Sequence, residues 1–198
     1  MTMIAEAQLR TQTLQSRLND LGISHAVFTS ESSIAYLAGF WGYLGIEFGR
    51  PTMLVVPADA PPIVITPLME SEMVAEMTLV EDVRTWEDAG QRSWGRALAE
   101  ALPETVQELW IERSEVPAIV RNFLDERFPQ AEQKDIGPIL GAMRMIKSPL
   151  EIGVMKQAGA IAGAMMKAAH DSLEEGAREY ESALAVINAG TRAAAGCE

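Results

Sequence analysis

Along the first 140 residues, the spacing of apolar residues alternates between a helical pattern and a β-strand pattern. Leu14, Leu18 and Leu21 recur at spacings of four and three, which predicts an amphipathic helix over residues 3–21. Further helices are predicted at 30–38, 69–77, 93–102 and 117–127, with a helical turn at 139–145. Runs of β-branched and aromatic residues predict strands at 26–29, 52–57, 62–66, 79–86, 108–112 and 131–135. The pattern predicts an α/β fold with a mixed central β-sheet flanked by helices, because residues 58–61 join two strands as a hairpin.

A change of pattern at Ser148 predicts the start of a long helix. Ser148 suits the N-cap, Pro149 suits the first helical position, and Glu151 can reach back to close a capping box. No strand is predicted beyond this point, and a second helix is predicted over 179–189.

These two helices carry apolar stripes. The predicted inward positions are Leu150, Val154, Ala158, Ile161, Met165 and Ala169 in the first helix, and Tyr180, Leu184 and Ile187 in the second. Two helices alone bury little apolar surface. We therefore expect them to need cover from the first domain, from a partner chain or from a further part of the fold.

The segment from Gly39 to Arg50 combines four glycines with six bulky apolar residues. Because glycines interrupt regular structure and aromatic side chains favour burial, we expect a loop that displays bulky groups on a flexible backbone. Such a loop either packs onto its own domain or forms a surface that another domain or subunit completes. The Arg50 guanidinium is either a bidentate anchor for a carboxylate or an ordinary surface cation in a local ion pair.

Composition narrows the classes of function. The chain has 16 Lys and Arg against 28 Asp and Glu, a net charge of −12, and an acidic surface repels the phosphates of nucleic acids. The sequence contains neither a membrane-length apolar run nor a recognisable signal peptide, so we expect a cytoplasmic protein without a membrane partner. The single cysteine, Cys197, cannot form an intramolecular disulfide or a cysteine-based zinc site. His25 and His170 show no metal-ligand spacing, and no complete catalytic set is evident.

Four stretches of the sequence together form a recognisable pattern. They are Leu18–Ile23, Ile34–Phe40, Arg50–Pro57 and Met143–Ile152. The most specific part is Arg144-x-Ile146-Lys147-Ser148-Pro149-x-Glu151-Ile152. This pattern resembles the N-terminal half of the creatinase/prolidase family, which holds aminopeptidase P, prolidase and creatinase.

The resemblance implies a particular domain organisation. Residues 1–141 would form the N-terminal domain, 142–149 a junction, and 150–198 the first two helices of an incomplete pita-bread catalytic domain. Metal-dependent members of the family hold a pair of divalent ions such as Mn, Co or Zn, while creatinase-like members rely on a histidine. The resemblance implies that those residues lie beyond Glu198, so this chain alone is expected to hold no metal and to be inactive.

The resemblance also assigns a role to two residues. Phe48-Gly49-Arg50 is similar to a creatinase stretch in which a Phe and an Arg reach the active site of the partner subunit. It therefore implies a homodimer in which Phe48 and Arg50 contact the substrate in trans, with Arg50 binding its carboxylate. The full-length protein would be a hydrolase of C–N bonds acting on a small peptide or an amino-acid-like carboxylate. An alternative is a stand-alone, non-catalytic module of the same fold that binds peptides or proteins.

Overall fold

The computed structural model describes residues 3–88 and 93–196. Within these ranges the strands are β1 (His25–Phe28), β2 (Met53–Pro57), β3 (Ile63–Pro67), β4 (Asp82–Trp86), β5 (Glu108–Ile111) and β6 (Glu132–Asp135). The helices are α1 (Met3–Asp20), α2 (Glu31–Ala38), α3 (Leu44–Phe48), α4 (Ser71–Met77), α5 (Trp94–Ala101), α6 (Ala118–Arg127), α7 (Gly137–Met145), α8 (Pro149–Asp171) and α9 (Glu179–Ala194). A 3-10 turn at Leu68–Glu70 leads into α4. The chain divides into two compact units, Met1–Met143 and Arg144–Glu198.

The strands of the first unit form one sheet in the order β4-β3-β2-β1-β5-β6. β1, β2 and β3 pair antiparallel, and the β2–β3 connection is the predicted hairpin. The pairs β3–β4, β1–β5 and β5–β6 are parallel. The prediction of a mixed α/β fold is therefore confirmed.

The central strands are buried on both faces, so successive side chains enter two different cores. Phe28 and Leu54 lie in one core with Leu14, Leu18 and Ile34 of α1 and α2. On the opposite face, β1 and β2 contribute to a second core with residues of α5 and α6. Helices therefore cover both sides of the sheet.

Three details of the first unit differ from the sequence prediction. Leu21 is exposed, because α1 ends at Asp20 and its buried face runs instead through Ala7, Thr11, Leu14 and Leu18. β4 begins at Asp82 rather than at residue 79, and α7 begins at Gly137 rather than at residue 139.

The residues just before α2 are held by a side chain that is distant in sequence. Ser30 occupies the N-cap position, but its hydroxyl makes no capping bond. Oε2 of Glu112 instead accepts hydrogen bonds from the backbone N–H groups of Thr29 at 3.2 Å and Ser30 at 3.3 Å, and Oε1 accepts from the Ser33 hydroxyl. Glu112 is 5% exposed, and burial raises its pKa above the ordinary value, partly offset by these hydrogen bonds.

This raised pKa predicts a pH dependence of stability. Because the folded pKa of Glu112 exceeds the unfolded one, its protonated form stabilises the fold below the ordinary pKa of 4.5. That contribution is lost as pH rises through the folded pKa. The free energy of unfolding of wild type relative to Glu112→Gln should therefore fall as pH rises above that ordinary value and then level off. Urea titrations of both proteins across this pH range measure the difference. Parallel curves for wild type and Glu112→Gln would contradict the prediction.

The second unit contains α8 and α9. The predicted capping box at its start is confirmed, since Glu151 N–H donates to Ser148 Oγ at 3.1 Å and Ser148 N–H donates to Glu151 Oε2 at 2.8 Å. α9 runs to Ala194, beyond the predicted residue 189. Tyr180, Leu184 and Ile187, the positions predicted to face inward in α9, are exposed in this chain, so α8 does not supply the cover that the sequence predicts for them.

Small residues explain this outcome. Gly190 is buried, and a Cβ at this position would lie 2.8 Å from the Met165 sulfur of α8. Close approach of the two helices at a glycine turns the smaller face of α9 inward and leaves its larger apolar side chains outside.

We expect Ser148→Ala to destabilise the first turn of α8 by about 1 kcal/mol, because a backbone N–H loses its acceptor. Hydrogen exchange of the amides of residues 150–153 measures this change. Ser148→Thr keeps the hydroxyl and should retain most of the protection. Equal exchange in the two variants would contradict the role of the cap.

No helix in the described residues combines the length and apolar character needed to cross a membrane.

Candidate functional site

The segment from Gly39 to Arg50 is fastened at its start by one buried aromatic residue. Gly39 ends α2 with a φ of 78°, and a Cβ there would approach the Met77 carbonyl oxygen to 2.9 Å, so glycine is required for both reasons. Phe40 follows and is fully buried in the core beneath α1 and α2. Trp41 and Tyr43 are exposed. The segment therefore packs partly onto its own domain and partly displays aromatic rings.

The expectation of a loop without regular structure is wrong for the middle of this segment. Leu44–Phe48 form the short helix α3, with Leu44 buried. Gly49 ends it in the left-handed conformation, with a φ of 64°, and its N–H donates to the Gly45 carbonyl at 3.1 Å. The Arg50 N–H donates to the Leu44 carbonyl at 3.2 Å, which reverses the chain directly after Phe48.

This reversal places Phe48 and Arg50 close together along the surface of the first unit. Phe48 is 67% exposed, among the most exposed large apolar side chains of this unit. The Arg50 side chain is 33% exposed, and its guanidinium forms an ion pair with the Asp88 carboxylate. Its Nη1 also donates to the Met69 sulfur at 3.2 Å. The local ion pair, one of the two roles that the sequence left open for Arg50, is therefore present.

A shallow cavity of about 210 Å³ lies beside this ion pair. Its lining residues are Arg50, Pro67, Leu68, Met69, Trp86, Glu87 and Asp88. The Nε1–H of Trp86 donates a hydrogen bond to the Pro51 carbonyl at 3.0 Å, which fixes the orientation of the ring in the cavity wall. The lining combines the Arg50 cation with two carboxylates, Glu87 and Asp88, beside an apolar wall. Because Asp88 already pairs with the guanidinium, a carboxylate entering this cavity would have to displace it.

Sequence reasoning missed the residue that holds α3 in place. Glu70, at the end of the 3-10 turn, is fully buried, and its Oε1 accepts from the N–H groups of Tyr43 and Leu44. No local signal identifies it, because a glutamate at the start of a predicted amphipathic helix is typical of a solvated position.

Other candidate groups do not form a site. Among residues 3–88 and 93–196, no group of three or more His, Cys, Asp or Glu is arranged to hold a metal ion. His25 begins β1, where burial lowers its pKa, and His170 lies exposed in the last turn of α8 with its Nδ1 3.4 Å from Asp171 Oδ1. Cys197 lies outside the described residues.

Comparison with known proteins identifies the family. A creatinase from Bacillus sp. (strain B-0618) is 26% identical over 182 residues, which cover 90% of this chain and 43% of the creatinase. The prolidase from Pyrococcus horikoshii OT3 has the same fold, with a TM-score of 0.76 and 21% identity over 92% of this chain and 48% of the prolidase. The Creatinase/Prolidase N-terminal domain of an X-Pro dipeptidase from Streptococcus pyogenes matches 68% of this chain and 98% of that domain, with a TM-score of 0.59 and 18% identity.

The chain thus spans about half the length of the creatinase and of the P. horikoshii prolidase. The sequence profile of the Creatinase/Prolidase N-terminal domain matches residues 10–146, which is more than half of the chain. The chain therefore belongs to the creatinase/prolidase family and contains that family's N-terminal domain.

Proposed function

We propose that this chain is the N-terminal, dimerising and substrate-gating part of a hydrolase that cleaves C–N bonds. The single observation that carries the proposal is the position of Arg50. Its guanidinium follows the exposed ring of Phe48 by two residues and lines a small cavity, where the carboxylate of a substrate would take the place of Asp88. Arg50 would bind the carboxylate of the substrate, and Phe48 would contact the substrate beside it.

The active site in this proposal is completed by a second subunit. Phe48, Trp41 and Tyr43 display aromatic surface on the first unit, and aromatic residues are enriched at the centres of protein interfaces. A homodimer would bring this surface over the catalytic cleft of the partner subunit. The substrate would be a small peptide or an amino-acid-like carboxylate, in keeping with the names of the prolidase and creatinase relatives.

The catalytic groups in this proposal lie outside the chain. Residues 1–141 would be the N-terminal domain, 142–149 the junction, and 150–198 the start of the catalytic domain. The greater length of the relatives supports this division, and so do the exposed apolar side chains of Met155, Leu184 and Ile187 in the second unit. Any divalent metal would be held by residues after Glu198, in a cytoplasmic enzyme.

Reading the gene beyond the codon for Glu198 tests this division directly. An open frame of roughly 200 further codons, about one more domain, is expected. A stop codon directly after Glu198 would instead favour the alternative, a non-catalytic module that binds peptides or proteins through the exposed aromatic surface. The isolated chain should show no turnover with added Mn²⁺ or Co²⁺, and turnover by it would contradict the proposal.

Mixed dimers test the placement of Arg50 in trans. Arg50→Ala protomers would be combined with protomers of the full-length protein that carry an inactivated catalytic domain. If Arg50 serves the partner's active site, the mixed dimer regains one intact site and activity exceeds that of either parent. No gain on mixing, with exchange of subunits verified, would show that Arg50 acts within its own subunit or not at all.

A further inference from the structure

One fully buried carboxylate gathers hydrogen bonds from several parts of the first unit. Oε1 of Glu70 accepts from the N–H groups of Tyr43 at 3.0 Å and Leu44 at 3.2 Å. Oε2 accepts from the hydroxyls of Thr66 at 2.8 Å and Thr52 at 3.2 Å. Burying a charge is unfavourable unless its hydrogen bonds are satisfied, so these four donors make the position of the carboxylate specific.

The four donors come from the start of α3, from the residue before β2, and from β3. Tyr43 and Leu44 begin α3, while Thr52 follows Arg50 by two residues and directly precedes β2. Thr66 lies on β3 and is fully buried, so the central sheet supplies the fixed point. Glu70 therefore joins the start of α3 to Thr52, just beyond Arg50, and both of them to the sheet.

The space around the carboxylate supports the same conclusion. A Cβ on Gly42 would lie 3.1 Å from Oε2 and 3.2 Å from Oε1 of Glu70. These distances are tighter than ordinary contacts, so the backbone of the segment passes as close to the carboxylate as glycine allows. A Cβ on Gly42 would also lie 3.2 Å from Cε1 of Phe40, so a larger residue would press on both the carboxylate and the buried ring.

We infer that Glu70 is the positioning residue for Phe48 and Arg50. It fixes the backbone at the start of α3 and just after Arg50. The positions and directions of the Phe48 and Arg50 side chains follow from that backbone. For its effect on substrate this inference rests on the proposed function, whereas its effect on the conformation of the segment does not.

Glu112 provides a matched control within the same unit. It too is a buried glutamate with two backbone N–H donors on one oxygen and a hydroxyl donor on the other, but it holds α2 instead of α3. A purely structural role predicts that Glu70→Ala and Glu112→Ala behave alike. A positioning role predicts that only Glu70→Ala changes the segment that carries Arg50.

Hydrogen exchange measured by mass spectrometry on the 198-residue chain separates these outcomes. Glu70→Ala is expected to speed exchange in residues 41–50 on the order of tenfold or more, because the amides of Tyr43 and Leu44 lose their acceptor. Glu112→Ala should speed exchange in residues 29–34 and leave 41–50 unchanged. Glu70→Gln should restore most of the protection, since its oxygen can accept from both amides while its NH₂ donates to the threonine hydroxyls.

Unchanged exchange in 41–50, or an equal rise throughout the first unit, would overturn the inference. If Glu70→Ala fails to fold, Thr52→Val provides the second variant, because it removes the hydroxyl that donates to Glu70 from just beyond Arg50. Thr52→Val should speed exchange in residues 41–50 by a smaller factor than Glu70→Ala would. Unchanged exchange of residues 41–50 in Thr52→Val would also contradict the positioning role of Glu70.

Kinetics of the full-length protein distinguish a failure of this inference from a failure of the proposed function. Glu70→Ala should raise KM for substrates with a free carboxylate more than it lowers kcat, and Glu112→Ala should leave KM unchanged. If Arg50→Ala has no effect while Glu70→Ala loosens the segment, the proposed function is wrong and the positioning role stands. If Arg50→Ala raises KM while Glu70→Ala changes neither KM nor exchange, the positioning role is wrong.

Discussion

Replacing Arg50 by alanine in the full-length protein is expected to raise KM for substrates with a free carboxylate roughly 30- to 1,000-fold. This range corresponds to a loss of about 2–4 kcal/mol, as is typical when one partner of a desolvated charge pair is removed. Met69 contacts the guanidinium and shields part of it from water, and an opposing subunit would exclude more water. Steady-state kinetics measure the effect.

Three comparisons make this prediction specific to a carboxylate anchor. Arg50→Lys should give an intermediate KM, because an ammonium keeps the charge but loses the bidentate fork. A substrate whose carboxylate is amidated should bind weakly to the wild type and be insensitive to Arg50→Ala. Asp88→Asn removes the carboxylate that pairs with Arg50 and should lower KM. Unchanged kinetics of Arg50→Ala with free-carboxylate substrates would refute the assignment of Arg50.

The largest expected effect on stability comes from Phe40. We expect Phe40→Ala to lower the free energy of unfolding by about 3–5 kcal/mol, because the ring is fully buried and its removal leaves a cavity in the core. Phe48→Ala, eight residues further along the same segment, should change that free energy by no more than about 0.5 kcal/mol. Urea denaturation followed by far-UV circular dichroism measures both.

The two phenylalanines also differ in their expected effect on function. Phe48→Ala should leave the fold intact and weaken substrate binding or dimerisation, measured by KM and by sedimentation. Phe40→Leu, which keeps most of the buried volume, should recover much of the stability lost in Phe40→Ala. A strongly destabilised Phe48→Ala would mean that its ring is covered within its own subunit, contrary to its 67% exposure.

Much of the first unit could be predicted from the sequence because its signals are local. Strand and helix periods follow from neighbouring residues, and so the α/β order and the β2–β3 hairpin were predicted and found. The capping box at Ser148 needs only four consecutive residues, and both of its hydrogen bonds are present. The pairing of β1 with β5 joins residues more than 80 positions apart, which no local pattern encodes.

The segment from Gly39 to Arg50 was predicted least well. Its glycines were interpreted as interruptions of regular structure, yet α3 forms there because Glu70 satisfies the amides that begin it. Likewise, the amides of Thr29 and Ser30, just before α2, donate to Glu112, about 80 residues away. In both cases a buried carboxylate distant in sequence supplies what the local residues lack.

The sequence by itself determined the elements other than α3 and their order. It also determined the family resemblance and the two residues, Phe48 and Arg50, on which the proposed function depends. Only the tertiary structure decided which aromatic rings of one segment are buried, which carboxylate meets Arg50, and which faces of α8 and α9 pack together. The physical reason is that periodicity, caps and turns depend on residues within one or two helical turns. Burial and charge pairing depend on which distant parts of the chain meet, and that is settled only when the sheet has assembled.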